Sequence, residues 1–366
     1  MAKEKKEKEE KKAVPFKSKE EMIAAINKEY GDGSVIVYGD GPMLNVPSIS
    51  TGCATLDAAL GVWGIPKGRI SEIYGPEMSG KTTLCLSVIK ECQKAGGTAA
   101  FIDAEHAFDS SWAQAIGINM SELIVNQPDS GDQALNIAEM LAASRQTDLI
   151  VIDSVAALTP QAELDGEIGD SSIGVQARLM SQAMRKLVGV TSKSNCAIIF
   201  INQIRYKIGV MFGNPETTPG GNALKFYSSV RLDIRRKEAI KKKIGGNDVH
   251  VGNEVLIKVV KNKVAPPFRT ADANIYFGKE GYPSGFDYAS SLVTLAHQAG
   301  IVELKGSWYS FGDMRLGAGI ENACSFVRGN EDVMKSIQSK VQEGRKSVAA
   351  AEIAEDIEDE SNLQGQ

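Results

Sequence analysis

Residues 75–82 read Gly-Pro-Glu-Met-Ser-Gly-Lys-Thr, preceded by RISEIY (69–74) and followed by TTLCLSVIKEC (82–92). The octet fits G-x-x-x-x-G-K-[ST] with no mismatch; the apolar run before it reads as a strand and the run after it as a helix. A strand that feeds such a loop into a helix N-terminus turns a row of backbone N–H groups toward an anion. Gly75 and Gly80 let the backbone turn close to phosphates, Lys81 neutralises their β/γ oxygens, and the Thr82 hydroxyl is a magnesium ligand. Gly75, Pro76, Glu77, Met78, Ser79, Gly80, Lys81, Thr82 and Thr83 therefore form the expected nucleotide cradle.

Outward from this loop the chain alternates short apolar runs with amphipathic ones. TAAFIDAE (98–105), ELIVNQ (122–127), DLIVIDS (148–154) and CAIIFINQ (196–203) read as buried strands. SWAQAIG (111–117), DQALNIAEMLAAS (132–144) and VQARLMSQAMRKLVGV (175–190) read as helices. The alternation predicts βαβ units and an α/β fold with a mostly parallel central sheet covered on both faces. Asp153 ends one of these strands, where open α/β sheets bind ligands, and is the second magnesium-holding candidate, acting through water. Hydrolysis also needs a group to orient or deprotonate water; Glu105 and Asp103 both end a neighbouring strand, and spacing does not choose between them.

Beyond the core, FYSSVRLDIRR (226–236) and EVLIKVVKNKV (254–264) read as strands of an antiparallel extension, separated by a basic turn at 237–248. The expected organisation is a charged lead-in (1–19), a helix-and-strand arm (20–45), the core (46–278), a small α+β C-terminal domain (279–345) and an acidic tail (346–366). The arm is too small to fold alone and should dock on something else. The amino-terminal residues lack the apolar stretch of a secretory signal, and no apolar run is long enough to span a membrane, so the expected location is the cytoplasm. Five scattered cysteines without a C-x-x-C pair predict buried, reduced thiols rather than zinc or disulfides.

A net charge of −5 argues at first against nucleic acid. Its distribution argues otherwise: residues 171–215 contain no Asp or Glu but carry Arg178, Arg185, Lys186, Lys193, Arg205 and Lys207. Arg178 and Arg185 are seven apart, two helical turns, and share a face. The Gly-rich stretches 161–173 and 206–221 are long for a compact domain and read as functional loops.

The strings GPEMSGKTTL, AAFIDAEHAFD, IVIDSVAALTPQAELDGEIGD, LMSQAMRKL, FINQIRYKIGVMFGNPETTPGGNALKFY and KVVKNKVAPPF together resemble the bacterial RecA recombinases over roughly residues 20–345. The resemblance implies a RecA-like P-loop ATPase core, with ATP and Mg²⁺ as cofactors, and DNA-dependent hydrolysis driving strand exchange in a filament on single-stranded DNA paired with homologous duplex. It gives Glu105 the water-activating role, Gln203 the γ-phosphate sensor, and Asp109 and Trp112 the adenine contacts, with Trp112 where Tyr is often found. Loops 166–173 and 203–221 match the DNA loops. Arg178, Ser181, Arg185, Arg205, Lys207, Gly220, Gly221 and Asn222 match backbone contacts, and Ile173 and Ile208 match wedges between base triplets. Lys261 and Lys263, on one strand face with Asn262 opposite, resemble a pair reaching the neighbouring subunit's ATP. Phe226 resembles an inter-subunit contact coupling ATP to DNA, although by itself it reads as an ordinary core aromatic.

Further partners implied by the resemblance are an SOS repressor, whose self-cleavage it stimulates, and recombination mediators. The chain departs from the usual pattern at Pro219 (usually Thr), at Ser172 and Ile173 (often His-Met), in the longer basic turn 237–248, and at Ile320, where a Lys is common at the duplex-binding gate. The acidic tail is expected to compete with DNA for the basic surface. Two other readings are a ring-forming motor of the same core fold, such as a helicase or branch-migration ATPase, and a DNA-coating scaffold that binds ATP only as a switch. The absence of a zinc-binding Cys cluster weighs against the branch-migration type, and the arm favours a filament. Glu105 and the two lysines weigh against the scaffold.

Overall fold

The structure, a computed structural model, describes residues 16–31, 34–35, 46–167, 174–207, 209, 213 and 215–344. Ile173, Ser172, Ile208, the acidic tail and most of the lead-in and of the arm's second half lie outside these. By contacts the chain divides into residues 1–45 and 46–366. In the first unit Ser18 caps the helix Lys19–Tyr30 by accepting from the Glu21 N–H, and Asn27 exchanges two hydrogen bonds with the Val35 backbone. None of this helix's side chains is buried.

The second unit is built on nine strands, β1 Ile70–Gly75, β2 Ala99–Asp103, β3 Ile124–Asn126, β4 Leu149–Asp153, β5 Ala197–Gln203, β6 Val230–Ile244, β7 Asn247–Asn262, β8 Thr270–Phe277 and β9 Ser284–Phe286, in the order β9-β8-β7-β6-β1-β5-β4-β2-β3. The six strands from β6 to β3 run parallel, and β7, β8 and β9 extend the sheet antiparallel. Continuous apolar runs are needed because both faces are covered. Phe101, Leu149, Val151, Ile199 and Ile201 pack on the side of helix Lys81–Lys94. Their strand neighbours Ile102, Ile150, Ile152, Ile198 and Phe200 face helices Gly131–Ala143 and Val175–Ser194. All five cysteines are free and buried, which raises their thiol pKa values above the usual range.

Three readings are corrected. Ile124 and Val125 were expected in a buried strand, but β3 is the sheet edge and both are about 40% exposed, as an unpaired edge allows. Phe226 and Tyr227 were expected to open a strand; they end the short helix Ala223–Tyr227, and β6 begins only at Val230. The stretch 237–248 is mostly ladder rather than turn. β6 and β7 stay paired to Ile244 and Asn247, closing on Gly245-Gly246, both with positive φ as a two-residue hairpin requires. A C-terminal layer of three short strands, Glu303–Lys305, Trp308–Phe311 and Met314–Ala318, packs with helices Tyr288–Gln298, Ile320–Gly329 and 331–344 around Leu292, Val293, Leu316, Val327 and Ile337.

One polar cluster crosses the centre of the sheet. Glu72 on β1 is fully buried; it accepts from Asn202 Nδ2 at 3.0 Å and from Arg231 Nε, directly opposite on β6, at 2.5 Å. Removing one partner of a buried ion pair leaves an uncompensated charge, so Arg231→Ala is expected to cost about 3–5 kcal/mol of stability. Arg231→Met with Glu72→Gln should recover most of it. Urea denaturation midpoints check both; equal losses in the single and double variants would remove the ion pair as the cause.

Candidate nucleotide and DNA sites

The strand order assembles the phosphate end of the site. Adjacent strands β1, β5, β4 and β2 bring Gly75, Gln203, Asp153 and Asp103 to one sheet edge, with Gly75 opposite Gln203 and Asp103 opposite Asp153. Both loop glycines are sterically required. A Cβ on Gly75 would stand 2.2 Å from the Ile234 carbonyl oxygen, and one on Gly80, at φ 99°, would stand 2.4 Å from Ile275 Cδ1. Ser79 is buried while Met78 is exposed at the loop tip. Helix Lys81–Lys94 starts directly behind the loop, so its first N–H groups face the space in front of Gly80.

Lys81 Nζ lies over the loop, donating to the Pro76 carbonyl at 2.7 Å and the Gly75 carbonyl at 3.1 Å. Burial pulls its pKa below the usual lysine range, opposed by the carboxylates of Asp153, Glu105 and Glu77. Thr82 Oγ1 donates to Asp153 Oδ2 at 2.8 Å. Burial pushes the Asp153 carboxyl up to about 6, with the Thr82 hydrogen bond acting against it and nearby Glu105 adding to it. A cation between these oxygens would reverse that shift. Two oxygen donors fit magnesium, which keeps water and phosphate in its remaining positions. Among the described residues there is no cluster of three or more His, Cys, Asp or Glu placed to hold a metal ion.

The two carboxylates that spacing left equivalent are in different situations. Asp103 is buried, and its oxygens accept from the Ala107 and Phe108 N–H groups, both at 3.1 Å, and from Gln127 Nε2 at 2.9 Å. Two of these donors hold the turn after β2, and the third ties Asp103 to the residue after β3. Glu105 sits within that turn, exposed, with one oxygen, Oε1, accepting from Gln203 Nε2 at 2.9 Å and from the Ser154 hydroxyl. Ser154 was not singled out in the sequence; it is the residue after Asp153, which is the signal that points to it.

Beside the loop lies a cleft of roughly 380 Å³, within the size range of small-molecule sites. Met78 to Thr83 and Trp112 line it, together with Arg236, Asn253, Val255, Ile275 and Phe277. Trp112 is fixed by its indole N–H, which donates to Thr83 Oγ1 at 3.3 Å. Asp109 is not in this lining; it caps helix Ser110–Ile116 by accepting from the Trp112 N–H at 2.9 Å and so holds the helix that carries the indole. Sequence reasoning missed the five residues from β6, β7 and β8. They follow only once β6 is known to pair in parallel with β1, placing Ile234 next to the loop.

The basic groups divide between two places. On helix Val175–Ser194, Arg178 and Arg185 are exposed, while Ser181 turns its hydroxyl back to the Ala177 carbonyl at 2.7 Å. Lys186 pairs at 3.1 Å with Glu139 from the adjacent helix, so one cation of the acid-free window meets an acid in space that it lacks in sequence. Exposed Arg205 and Lys207 lie at a small hairpin, Arg205–Tyr206 with Glu216–Thr217, whose Glu216 is held in a bidentate pair by Arg235 at 3.0 and 2.6 Å. Gly220 is buried, and a Cβ there would meet Val155 Cγ1 at 2.8 Å; Gly221 and Asn222 are exposed. Pro219, which lacks an N–H, uses its carbonyl to accept from Asn202 at 3.2 Å.

The second basic place is the carboxyl end of β7, reached through Lys225, whose Nζ donates to Thr217 Oγ1 of the hairpin at 3.2 Å. Lys261 Nζ donates to the carbonyls of Lys225 at 2.6 Å and Phe226 at 2.9 Å, and Lys263 Nζ to Phe226 at 3.2 Å. Asn262 points the other way, to the Leu60 carbonyl. Phe226 is 73% exposed, which corrects its reading as a core aromatic.

A phosphate loop at the carboxyl end of a parallel sheet, with two strand-end carboxylates and a magnesium-compatible oxygen pair beside it, defines a P-loop ATPase. Family models described as the RecA N-terminal domain and the RecA C-terminal domain match residues 17–282 and 290–346. The chain is 53% identical to the protein named RecA of Thermus aquaticus and to that of Allochromatium vinosum, over 92% of this chain and 96% of each relative. Among solved structures, that of the RadB recombinase aligns with 62% of this chain and 96% of its own at a TM-score of 0.47 and 22% identity. The chain belongs to the RecA family of recombinases and is a DNA-dependent ATPase of homologous recombination.

Proposed function

We propose that this chain binds ATP and Mg²⁺ between successive protomers of a filament on single-stranded DNA and that hydrolysis resets the DNA loops during strand exchange. The observation that carries this reading is the distance of Lys261 and Lys263 from the phosphate loop of their own chain. Lys261 lies opposite Arg231, and Arg231 opposite Glu72, three residues before Gly75 on β1. At a rise of about 3.3 Å per residue, that is roughly 10 Å from the loop, in the direction away from it. Lys261 and Lys263 therefore meet a triphosphate only if another protomer presents it. A head-to-tail contact of this kind does not close on itself and builds a helical filament.

In this reading Lys81 and the loop amides hold the phosphates, and Thr82 and water-linked Asp153 hold the magnesium, which would neutralise phosphate charge as it develops. Glu105 takes a proton from, or orients, the attacking water, with Ser154 and Gln203 fixing its carboxylate. Gln203 is the last residue of β5, two before the hairpin strand Arg205–Tyr206, so what it touches at the phosphate end bears directly on Arg205 and Lys207. Arg178, Arg185, Arg205 and Lys207 neutralise DNA backbone charge without reading sequence, and base pairing supplies the homology test. The exposed edge of β3, with Ile124 and Val125, is a fitting seat for the arm of a neighbour. Activation of an SOS repressor and a cytoplasmic location go with the same reading; among the described residues no helix is long and apolar enough to cross a membrane.

ATP turnover measured with and without single-stranded DNA tests the coupling. Stimulation of at least about tenfold is expected, because ordering of the DNA loops and the Gln203–Glu105 contact share one strand end. Turnover indifferent to DNA would mean that the two sites are not coupled.

A further inference from the structure

We infer that Asn202 is the positioning residue that closes the neck of the DNA loop, and that through it DNA on the loop sets the placement of Gln203 at the phosphate end. The inference rests on the reading of residues 203–221 as a DNA loop. Asn202 is the next-to-last residue of β5 and fully buried. It lies opposite Tyr74 on β1, one step before Gln203 pairs with Gly75. The strand residues before it, Ile199, Phe200 and Ile201, are apolar core. An amide buried at the end of such a run has to find partners for all of its polar atoms.

Those partners join three parts of the chain. Oδ1 accepts from the Gln203 N–H at 3.0 Å, where the loop leaves the sheet. Nδ2 donates to the Pro219 carbonyl at 3.2 Å, where the loop returns, and to Glu72 Oε1 at 3.0 Å. The amide cannot be turned over, because Oδ1 would then face a carboxylate and a carbonyl, which only accept. Glu72 is held from its other oxygen by Arg231, so the amide rests on an anchored carboxylate that belongs to the sheet and not to the loop. The returning side of the neck is fixed as closely. A Cβ on Gly221, at φ 71°, would stand 2.9 Å from Ala177 Cβ, beside Arg178 on helix Val175–Ser194, and one on Gly220 would meet Val155, the neighbour of Ser154. DNA phosphates on Arg178 and on the 220–222 backbone therefore act on the chain next to Pro219. From Pro219 the contact runs through one amide to the Gln203 backbone, and the Gln203 side chain donates to Glu105 at 2.9 Å. This is a contiguous set of hydrogen bonds between the two sites, as energetic coupling over such a distance requires.

ATP turnover and DNA binding of the full chain test this together. In Asn202→Ala, stimulation by single-stranded DNA is expected to fall from about tenfold or more to below about twofold, while DNA-free turnover stays within about twofold of the unaltered rate. Coupling between two sites is reciprocal, so binding of a fluorescent oligonucleotide should also lose its response to a non-hydrolysable ATP analogue, with nucleotide-free DNA affinity unchanged. An equal loss of turnover with and without DNA would overturn the inference, since Asn202 would then serve the phosphate end or the fold itself. The swap Asn202→Asp with Glu72→Gln covers the case in which the alanine variant does not fold. It keeps an amide–carboxylate pair, an acceptor for the Gln203 N–H and an acceptor for Arg231, but the Pro219 carbonyl loses its donor. Loss of DNA stimulation in the swap, with its urea midpoint recovered, supports the inference; stimulation at the unaltered level would sink it. Absence of DNA stimulation in the unaltered protein would instead overturn the DNA-loop reading beneath it.

Discussion

Glu105→Gln is expected to lower DNA-stimulated ATP turnover by about 10²–10³-fold while leaving nucleotide affinity within about twofold. The substitution is nearly isosteric. A glutamine carbonyl still accepts from the Ser154 hydroxyl and from Gln203 Nε2, so the contacts that place the side chain survive. What is lost is the second oxygen, Oε2, as a charged acceptor, and with it the capacity to take or align a water proton. Lys81 also loses one of the three carboxylates that support its charge, but Asp153 and Glu77 remain, so phosphate binding changes little. Single-turnover hydrolysis gives the chemical step, and quenching of fluorescence from Trp112, which lines the cleft, gives affinity. Turnover near the unaltered rate would sink the assignment. It would not pass to Asp103, whose oxygens are taken by three donors and whose replacement should act on stability first.

The contrast between these two carboxylates shows where sequence reading stops. Asp103 and Glu105 are two apart after an apolar run, and a period of two puts them on one face only while the strand continues. β2 ends at Asp103, the chain turns, and the two side chains part company. The parallel core was legible because burial on both faces demands unbroken apolar runs, and no polar pattern competes with that demand. β3 misled for the same reason: Ile124 and Val125 look like core, but their exposure depends on β3 having a neighbour on one side only, which is a property of strand order. Phe226 was misread because a five-residue helix leaves too short a pattern to separate from a strand. The wall of the cleft supplied by β6, β7 and β8 was invisible because Asn253 and Phe277 reach it through ladder register across those strands, and register is not written in any one strand. The phosphate end was legible because its residues are contiguous or stand at strand ends.

Lys261→Ala with Lys263→Ala is expected to reduce DNA-stimulated turnover by about 10³-fold or more, comparable to loss of a cation supplied in trans, while nucleotide binding to the protomer's own loop persists. The cause is geometric. Burial and the neighbouring cations of Lys263 and Arg231 hold the Lys261 ammonium below its usual pKa, a like-charge cluster that an incoming triphosphate would relieve. Mixing experiments separate this from a local effect. Lys81→Ala protomers lack the phosphate grip but carry the lysines, and the lysine-pair variant carries the grip but lacks the lysines. If each protomer uses its own lysines, an equimolar mixture is as inactive as its components. If the lysines serve the neighbour, random head-to-tail assembly places an intact loop against intact lysines at about a quarter of the interfaces, and turnover should recover to about a quarter of the unaltered rate. Co-sedimentation on single-stranded DNA verifies that both variants enter the same filaments. Recovery of that size requires that the exposed Phe226 and the two lysines bonded to its carbonyl face the next protomer's phosphate loop, because no arrangement within one chain brings them there.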